Sequence, residues 1–363
     1  MKTIRDAVHL SIEVSDAEVA VIDTPQMQRL RYVRQLALAY LVYPSAVHNR
    51  FEHSLGTMHL TDLASRRLFK EDDVRLLRLA GLLHDVGHSA FSHLSEAVVA
   101  EATGLDHEQL GRKKIEGTEI SDALSAHGFS VRELVKAMQG PKEEIISNAF
   151  GTDRIDYLLR DAHFTGVSYS LVDAERLLQS FAFDGRGLAL EEKGLLAAES
   201  LLVSRYLMFR AVYNHHANRI ATAMLESALR IALEKRAISV PDLTEGNDCA
   251  VLFKLQEEPL VRRLLSRRLF KTAFTSPDAS LSVALEEELS RDFQRDRFVV
   301  CRGGESLASP DVRLNLKDGT PSTLMKESFL AREVNGQLKA AGVLVACDAA
   351  DKSKVAAACS RVA

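Results

Sequence analysis

Cysteine is scarce in this sequence, and its few copies are scattered. The 363 residues include four cysteines, and no two of them form a CxxC pair: Cys249, Cys301, Cys347 and Cys359. A disulfide framework or a zinc ribbon requires closer spacing, so the sequence predicts ordinary thiols in a reducing compartment.

Long apolar runs and a large excess of one charge are also missing. No apolar run reaches the length that spans a bilayer, and the N-terminal stretch MKTIRDAVHLSIEVSD lacks the apolar segment of a signal peptide. The formal net charge of -4 gives no global reason to bind nucleic acid, although local basic patches remain compatible with it. We therefore expect a cytoplasmic protein without membrane association, and nucleic-acid binding stays open.

Helical periodicity dominates the sequence up to about residue 290. Residues 57–69 and 74–84 carry apolar positions at three- and four-residue spacing, as helices with one buried face do. Residues 200–234 contain neither glycine nor proline, which predicts one long helix or two stacked helices. Between residues 180 and 196, the stretch SFAFDGRGLALEEKG predicts a hairpin that turns at Asp184-Gly185.

The pattern changes after residue 295. RFVVCR, VRLNLKDG and GVLVACD predict strands separated by turn-rich stretches, and DKSKVAAACSRVA predicts a closing helix. The sequence thus predicts a mainly α protein, with a helical core over residues 1–290 that carries a short β-hairpin insertion. A small α+β subdomain is expected over residues 291–363.

Histidine, in contrast to cysteine, is concentrated. Seven of the twelve histidines fall within sixty residues: His48, His53, His59, His84, His88, His93 and His107. The stretch AGLLHDVGHSAFSH at residues 80–93 puts three of them and an aspartate behind an apolar lead-in. Imidazoles and carboxylates in apolar surroundings need compensation for their lost hydration, which a bound ion can provide.

Four candidate metal ligands stand out: His53, the adjacent His84 and Asp85, and Asp153. Imidazole nitrogen combined with carboxylate oxygen suits a divalent transition metal such as Fe, Mn, Zn or Ni. Neighbouring helix residues point about 100° apart, so His84 and Asp85 can share an ion only if it lies close to their helix. The alternative is a hydrogen-bonded core pair, which a lone His-Asp dipeptide would favour.

The segments HNRFEHSLGT, LLHDVGHSAFSH and DRIDYLLRDAHFTG resemble the HD-domain phosphohydrolases. More narrowly, they are similar to the SAM-and-HD-domain deoxynucleoside triphosphate triphosphohydrolases and their prokaryotic relatives. The likeness runs from about Ile22 to about Ile220, and it weakens beyond residue 290. It implies an all-α HD core in which His53, His84, Asp85 and Asp153 hold one metal ion. It also implies that deoxynucleoside triphosphates (dNTPs) are substrates, with Mg as a further ion on their phosphates, and a dimeric or tetrameric homo-oligomer.

Phosphoester hydrolysis requires groups that handle protons near the attacked phosphorus. His88 and His93 follow His84 by four and nine residues, and Glu96 and His107 come soon after. The resemblance implies that the three histidines face the α-phosphate and that Glu96, which replaces the usual aspartate, orients His107. His93 is the candidate donor of a proton to the departing 5′-oxygen. Polar groups that merely line a helix end are the alternative for each histidine alone.

The remaining substrate contacts follow partly from spacing and partly from the resemblance. Arg50 and Arg154 adjoin predicted ligands, and Tyr157 and Asp161 follow Asp153 by four and eight residues on one helical face. A solvated face is the alternative for that stripe. Asp161 is the candidate acceptor from a 3′-hydroxyl, and Tyr157 the candidate contact with the deoxyribose. The resemblance adds Arg205 as a phosphate contact, Gln35 and Leu36 at the sugar pocket, and Tyr213 and Asn214 near the base.

A second nucleotide site is suggested by the segment DTPQMQRLR. Asp23, Gln28 and Arg31 match positions with which regulated relatives recognise a guanine nucleotide at a subunit interface. A carboxylate accepts from the N1/N2 edge of guanine, and an arginine donates to O6 and N7. The alternative is a capped helix start with Pro25 at an early position.

Three functions follow from these observations. The first is a metal-dependent dNTP triphosphohydrolase, activated in addition by a guanine nucleotide if the second site binds one. The second is an HD phosphohydrolase for another phosphoester, such as a nucleoside monophosphate, a cyclic nucleotide or a nucleic-acid end. The third is a non-catalytic nucleotide sensor, against which the group of three histidines argues.

Overall fold

The computed structural model describes residues 2–170, 172–303, 308, 311–338 and 341–362. Helices dominate this part of the chain, so the predicted mainly α class is confirmed. The α-helices are α1 Asp16–Ile22, α2 Pro25–Arg29, α3 Arg50–Ser65, α4 Glu71–Leu83, α5 His93–Thr103, α6 His107–Ile115, α7 Glu119–Ala126, α8 Val131–Ala137, α9 Glu144–Ser147, α10 Thr152–Thr165, α11 Ala174–Leu178, α12 Leu195–Met208, α13 His216–Glu234, α14 Val240–Thr244, α15 Asp248–Lys254, α16 Pro259–Leu265, α17 Ser282–Asp292, α18 Leu324–Glu327, α19 Phe329–Gln337 and α20 Lys352–Cys359.

Short strands form three small sheets among the described residues. The strands are β1 Lys2–Asp6, β2 Leu10–Val14, β3 Phe181–Phe183, β4 Leu188–Glu191, β5 Lys271–Ser276, β6 Phe298–Cys301, β7 Arg313–Asn315, β8 Pro321–Thr323 and β9 Val343–Cys347. β1 and β2 make an N-terminal hairpin, the second sheet has the order β3-β4-β7-β8, and the third has the order β5-β9-β6.

The predicted hairpin is confirmed by antiparallel pairing of β3 with β4. Its turn includes Gly185 at φ 83°, a left-handed conformation that glycine adopts without steric cost. The predicted helix over residues 200–234 is two helices, as one of the two alternatives had it. A π-helical segment at Phe209–Tyr213 separates α12 from α13.

The predicted C-terminal strands are present as β6, β7 and β9, and the closing helix is α20. The division at residue 290 remains a prediction, and two sheets cross that position. β5 pairs with β9, and β7 runs parallel to β4 of the hairpin. Sequence periodicity could not reveal these pairings, because they join residues far apart in the chain.

Three helices form the part of the core that carries the histidine-rich segments. α3 packs against α4 on one side and against α10 on the other. The start of α3 is capped by Asn49, whose side chain accepts from the backbone nitrogen of Glu52 at 3.1 Å. Gly56, in the middle of α3, has no side chain to hold α10 away. None of the helices in the described part of the chain combines the length and hydrophobicity needed to cross a membrane.

Candidate active site

The predicted metal ligands come from three helices that converge on one point. His53 lies in α3, His84 directly follows α4, and Asp153 lies in the first turn of α10. One ligand atom from each of these residues lies within 4.8 Å of the others. Asp153 Oδ1 lies 3.0 Å from His53 Nε2 and 3.7 Å from His84 Nε2. Packing of α3 between α4 and α10 therefore assembles the cluster.

Both imidazoles have one nitrogen bonded to the protein and the other directed at the cluster. His53 Nδ1 donates to Asp156 Oδ2 at 2.7 Å, and His84 Nδ1 donates to the backbone oxygen of Gly81 at 2.8 Å. Both Nε2 atoms are buried and make no hydrogen bond within the described chain. Buried polar atoms normally have partners, and an imidazole oriented through its second nitrogen is typical of metal ligands. This donor set therefore fits a divalent transition metal.

Asp85, the fourth predicted ligand, borders the cluster and is shared with a cation. Its Oδ1 lies 3.3 Å from His84 Nε2, and its Oδ2 lies 3.6 Å from His53 Nε2. The same Oδ2 accepts a hydrogen bond of 2.5 Å from Arg50 Nη1. Burial opposes ionisation, but Arg50 and the neighbouring imidazoles hold the pKa of the Asp85 carboxyl well below its usual range. Asp85 is thus a carboxylate that touches both the cluster and a predicted phosphate-binding arginine.

The electrostatics of the cluster favour positive charge. Burial lowers the pKa of His53, but the carboxylates of Asp153 and Asp156 outweigh burial and raise it to about 10. Burial also lowers the pKa of His84, and Asp85 with Asp153 reverses the direction and raises it. A surplus of carboxylates around two imidazoles is the charge arrangement that a divalent cation would satisfy.

Asp156 is a supporting residue that the sequence reasoning missed. Besides His53, it contacts His9 Nε2 at 2.6 Å from its Oδ1 and accepts from Arg160 Nε at 2.9 Å. Arg160 also donates to Asp6 at 2.8 Å, so the N-terminal hairpin is tied to α10. Asp156 and Arg160 are fully buried. The three-residue spacing from Asp153 was the available signal, because residues at i and i+3 share a helix face.

The predicted proton-handling residues form a second group beside the cluster. His88 stacks on His107 with ring centroids 4.4 Å apart, and His93 meets His88 edge-on at 4.7 Å. Glu96 binds both outer rings: Oε2 accepts from His93 Nδ1 at 2.8 Å, and Oε1 makes a close ion pair with His107 Nδ1. His88 Nε2 lies 3.3 Å from Asp85 Oδ1, which connects the two groups.

These neighbours shift the pKa values of His88 and His107 in opposite directions. Burial and the Arg50 cation hold the pKa of His88 well below its usual range, so His88 is neutral near pH 7. Burial lowers the pKa of His107, but the Glu96 carboxylate outweighs it and the net pKa is raised. His93 has an exposed side chain, with 65% of its surface accessible. One face of the site thus holds a neutral imidazole, and another holds imidazoles paired with a carboxylate.

A cavity of about 580 Å³ joins the two groups, a volume in the range of small-molecule sites. Nine predicted site residues line it: Gln35, Arg50, His84, Asp85, His88, His93, His107, Asp153 and Tyr157. Gln35 Oε1 is buried there without a hydrogen-bond partner in the described chain, so it is available to a ligand hydroxyl. His53 and Glu96 lie behind the wall and support it.

Other predicted substrate residues lie deeper or farther away. Asp161 is buried, its Oδ1 bonds His48 Nε2 at 2.8 Å, and its Oδ2 accepts from the Tyr213 hydroxyl at 2.6 Å. This network adds His48, whose place in the site could not be assigned from sequence. The described cavity lining does not include six predicted contacts: Leu36, Arg154, Asp161, Arg205, Tyr213 and Asn214. Their roles remain predictions.

One end of the cavity is formed by residues that the sequence reasoning did not select. Arg112 and Gln139 lie there with Val135, Met138 and Glu143, from α6, α8 and the segment that follows. With its amide oxygen turned toward Arg112, Gln139 accepts from the guanidinium at 3.0 Å. No motif marks these residues, because only the packing of α6 and α8 brings them to the histidines.

The residues of the predicted second nucleotide site lie on the surface at α2. Asp23 and Arg31 are exposed and Gln28 is half-buried. Arg31 Nε donates to Gln28 Oε1 at 2.8 Å, and its guanidinium lies 3.6 Å from the ring centroid of Phe51. Gln28 also donates to the backbone oxygen of Ile22 at 2.8 Å. Recognition of a guanine nucleotide by these residues remains a prediction.

Two protein families match consecutive parts of the chain. The HD domain matches residues 50–161, and the family described as the HD associated region matches residues 172–296. An uncharacterized protein of Bacillus subtilis is 30% identical and is matched over 93% of this chain and 90% of its own length. An uncharacterized protein of Methanocaldococcus jannaschii is 39% identical over 76% of this chain, which spans 60% of that relative.

One relative that covers less of the chain has a name that states an activity. The human deoxynucleoside triphosphate triphosphohydrolase SAMHD1 is 30% identical over 63% of this chain and 44% of its own length. Among solved structures, a hypothetical protein from Aquifex aeolicus has a TM-score of 0.83 at 31% identity, covering 98% of this chain and 99% of its own. A phosphohydrolase from Bacteroides thetaiotaomicron has a TM-score of 0.80 at 22% identity, covering 96% and 100%, and shares the fold.

Proposed function

Because the chain belongs to the HD-domain phosphohydrolase family, we propose that it hydrolyses dNTPs to a deoxynucleoside and inorganic triphosphate with the help of a divalent transition metal. The observation that carries this proposal is that members of both groups line one cavity. They are His84, Asp85 and Asp153 of the ligand cluster, and His88, His93 and His107 of the proton-handling set. A structural ion needs no such set beside it, whereas phosphoester hydrolysis does. SAMHD1, named as a triphosphohydrolase, supports the choice of substrate.

The ligand cluster has a defined task in this proposal. His53, His84, Asp85 and Asp153 would hold the ion, which supplies Lewis acidity toward a phosphoryl oxygen when bound. Arg50 contributes a fixed positive charge, because its guanidinium is buried between Asp85 and Ser92 and lines the cavity. Arg154 and Arg205 are the further phosphate cations, and a Mg ion on the phosphates is part of the same expectation.

His93 is the group that protonates the leaving 5′-oxygen. Its Nδ1 is engaged by Glu96, so Nε2 is the nitrogen left to exchange a proton with a substrate in the cavity. His107 shares the Glu96 carboxylate, and the neutral His88 lies between them and Asp85. Tyr157 and Gln35 border the predicted sugar side, where a tyrosine ring leaves little room for a 2′-hydroxyl. Asp161, held by His48 and Tyr213, is the predicted partner of the 3′-hydroxyl.

Regulation by a second nucleotide is part of the same proposal. A guanine nucleotide bound at Asp23, Gln28 and Arg31 would act as an activator of a dimer or tetramer in the cytoplasm. The exposed positions of Asp23 and Arg31 are compatible with an interface site.

A product assay tests the proposal. The purified chain is incubated with Mn²⁺ or Fe²⁺ and each dNTP, with and without GTP or dGTP, and the products are separated. We expect deoxynucleoside and triphosphate in equal amounts. Release of orthophosphate, or turnover of monoesters or cyclic nucleotides only, would move the chain to another phosphohydrolase activity. Bound metal and nucleotide without turnover would support the non-catalytic sensor instead.

A further inference from the structure

The turn that leads into the catalytic helix α5 has an unusual backbone. Phe91 has φ 65° and Ser92 has φ 55°, so two consecutive non-glycine residues lie in the left-handed region. Such conformations persist only where surrounding contacts enforce them. Ser92 immediately precedes His93, the first residue of α5. The conformation of this turn therefore determines the position from which the His93 side chain extends.

A buried carboxylate from a different part of the chain holds this turn. Asp248, the first residue of α15, accepts from the backbone nitrogen of Phe91 at 2.7 Å through Oδ1. Its Oδ2 accepts from the backbone nitrogen of Arg34 at 3.1 Å. Only 1% of Asp248 is accessible to solvent. The carboxylate thus joins the turn before α5 to the segment that carries Gln35.

The hydroxyl of Ser92 extends this connection to the phosphate-binding arginine. Ser92 Oγ donates to the backbone oxygen of Arg34 at 2.8 Å and accepts from Arg50 Nε at 2.8 Å. Arg50 in turn donates to Asp85. The turn that Asp248 holds is therefore connected to the ligand cluster through Arg50 and Asp85, and it directly precedes His93 of the proton-handling set.

A half-buried cation, Arg29, bonds backbone oxygens of the same loop. Arg29 donates through Nη2 to the backbone oxygens of His88, at 2.5 Å, and Val86, at 3.2 Å. Its Nη1 donates to the backbone oxygen of Gly246 at 3.0 Å, two residues before Asp248. The loop over residues 86–92 is therefore held by its carbonyls through Arg29 and by an amide through Asp248.

We propose that Asp248 is a positioning residue for the reaction: its carboxylate holds the Phe91–Ser92 turn so that His93 and Arg50 meet the phosphate together. The inference rests on the proposed phosphohydrolase function for its kinetic consequence. It also gives the region after the HD domain a task in catalysis, since Asp248 lies within residues 172–296. An inert buried carboxylate would stabilise the fold without affecting the geometry of His93.

Asp248→Asn in the full chain tests this role. The amide can accept from only one of the two backbone nitrogens and presents a donor to the other, so the turn should relax. We expect kcat to fall by about tenfold or more, because small displacements of reacting groups are costly. Metal content should stay at the wild-type level. Glu258→Gln is the control: Glu258 also accepts from two backbone nitrogens, of Leu260 and Val261, through one oxygen, and it is not among the residues that line the cavity.

Two further measurements separate this proposal from the proposed function. Hydrogen exchange of the Phe91 and Arg34 amides should accelerate in Asp248→Asn, and the NMR signals of the His93 ring should shift, while Glu258→Gln changes neither. If the wild type hydrolyses no phosphoester, these signals still decide the positioning role. Unchanged His93 signals, or a kcat within twofold of wild type, would overturn it.

If Asp248→Asn does not fold, Ser92→Gly provides the second test. Glycine tolerates the left-handed backbone and removes the bridging hydroxyl, so kcat should fall in a folded protein.

Discussion

At the residue scale, Glu96 shows how one side chain sets the state of two others. Its two oxygens bind Nδ1 of His93 and Nδ1 of His107, although the sequence analysis assigned it to His107 alone. The carboxylate lies three residues after His93 on α5, so part of this arrangement follows from helix geometry. The contact with His107, which the family resemblance implied, joins α5 to α6.

Glu96→Gln should lower the pKa of His107. The Glu96 charge raises this pKa against the effect of burial, so loss of the charge lets burial dominate. We also expect kcat to fall roughly a hundredfold, the usual contribution of a group that assists proton transfer. NMR titration of the His107 ring measures the pKa. Glu108→Gln, which removes the adjacent carboxylate on α6, is the control and should leave the His107 pKa near its wild-type value.

Metal content and turnover should respond differently to two histidine variants. His84→Ala removes a cluster ligand and should lose both metal and activity. His93→Ala should keep metal and bind nucleotide but lose turnover. Elemental analysis of gently purified protein, combined with the product assay, distinguishes the two. Full metal occupancy in His84→Ala would remove this residue from the ligand set, and near wild-type kcat in His93→Ala would contradict its role as acid.

At the element scale, the approach of α10 to α3 determines whether the ligand cluster can form. A Cβ atom on Gly56 would lie 1.9 Å from Asp156 Oδ1 and 2.5 Å from Arg160 Nη2. Glycine at this position therefore permits the close packing that places Asp156 against His53. Helix propensity alone would favour alanine, so tertiary packing decides this position.

Gly56→Ala should destabilise the protein despite its better helix propensity. Overpacking against a buried ion-pair network costs roughly 1–3 kcal/mol in the free energy of unfolding. Gly336→Ala is the matched control, since Gly336 also lies in a helix and a Cβ there meets no atom within 4 Å. That change should stabilise by about 0.5–1 kcal/mol. Urea unfolding of the two variants measures both effects, and equal shifts of the same sign would contradict the packing argument.

At the scale of the whole molecule, the HD domain and the region after it meet at the loop over residues 86–92. The backbone nitrogen of Ala90 donates to Leu243, and Lys114 donates to the backbone oxygen of Thr244, both at 2.8 Å. The segment 243–248 therefore docks on the loop through directional bonds as well as apolar contacts. Asp248 adds a buried carboxyl to this contact, and burial raises its pKa to about 6.

This raised pKa predicts a pH-dependent difference between the wild type and Asp248→Asn. The carboxyl binds its proton more tightly in the folded state than at its ordinary pKa of 3.8, so protonation favours folding. The resulting stability is present at low pH and is lost as the pH rises through about 6. The hydrogen bonds from the backbone nitrogens of Phe91 and Arg34, and the charges of Arg34 and half-buried Arg29, oppose this rise of the pKa in part. Between about pH 4.5 and 7.5, the wild type should lose about 2 kcal/mol relative to the variant. Urea unfolding across this range measures the difference, and a flat profile would contradict the assignment.

Local sequence patterns predicted several helices, one hairpin and the candidate metal ligands. Apolar spacing predicted α3 and α4, the DG turn predicted the β3–β4 hairpin, and the motifs around His53, His84 and Asp153 singled out residues that the fold brings within 4.8 Å. These features depend on neighbours within a few turns of chain, so the sequence expresses them directly. The break at Phe209–Tyr213 between α12 and α13 could not be placed from the sequence, because no glycine or proline marks it.

The sequence by itself determined the helical class, the metal-ligand residue types and the family resemblance, because each is encoded in short segments with fixed spacing. Tertiary structure decided which further groups support them: Asp248 holds the turn before His93, and Asp156 bonds His53 on a neighbouring helix, although its three-residue spacing from Asp153 was a signal in the sequence. The two backbone nitrogens that Asp248 binds lie 157 and 214 residues away from it in the chain. Buried polar groups need hydrogen-bond partners, and the packing of the fold, not the distance along the chain, determines which groups can bond.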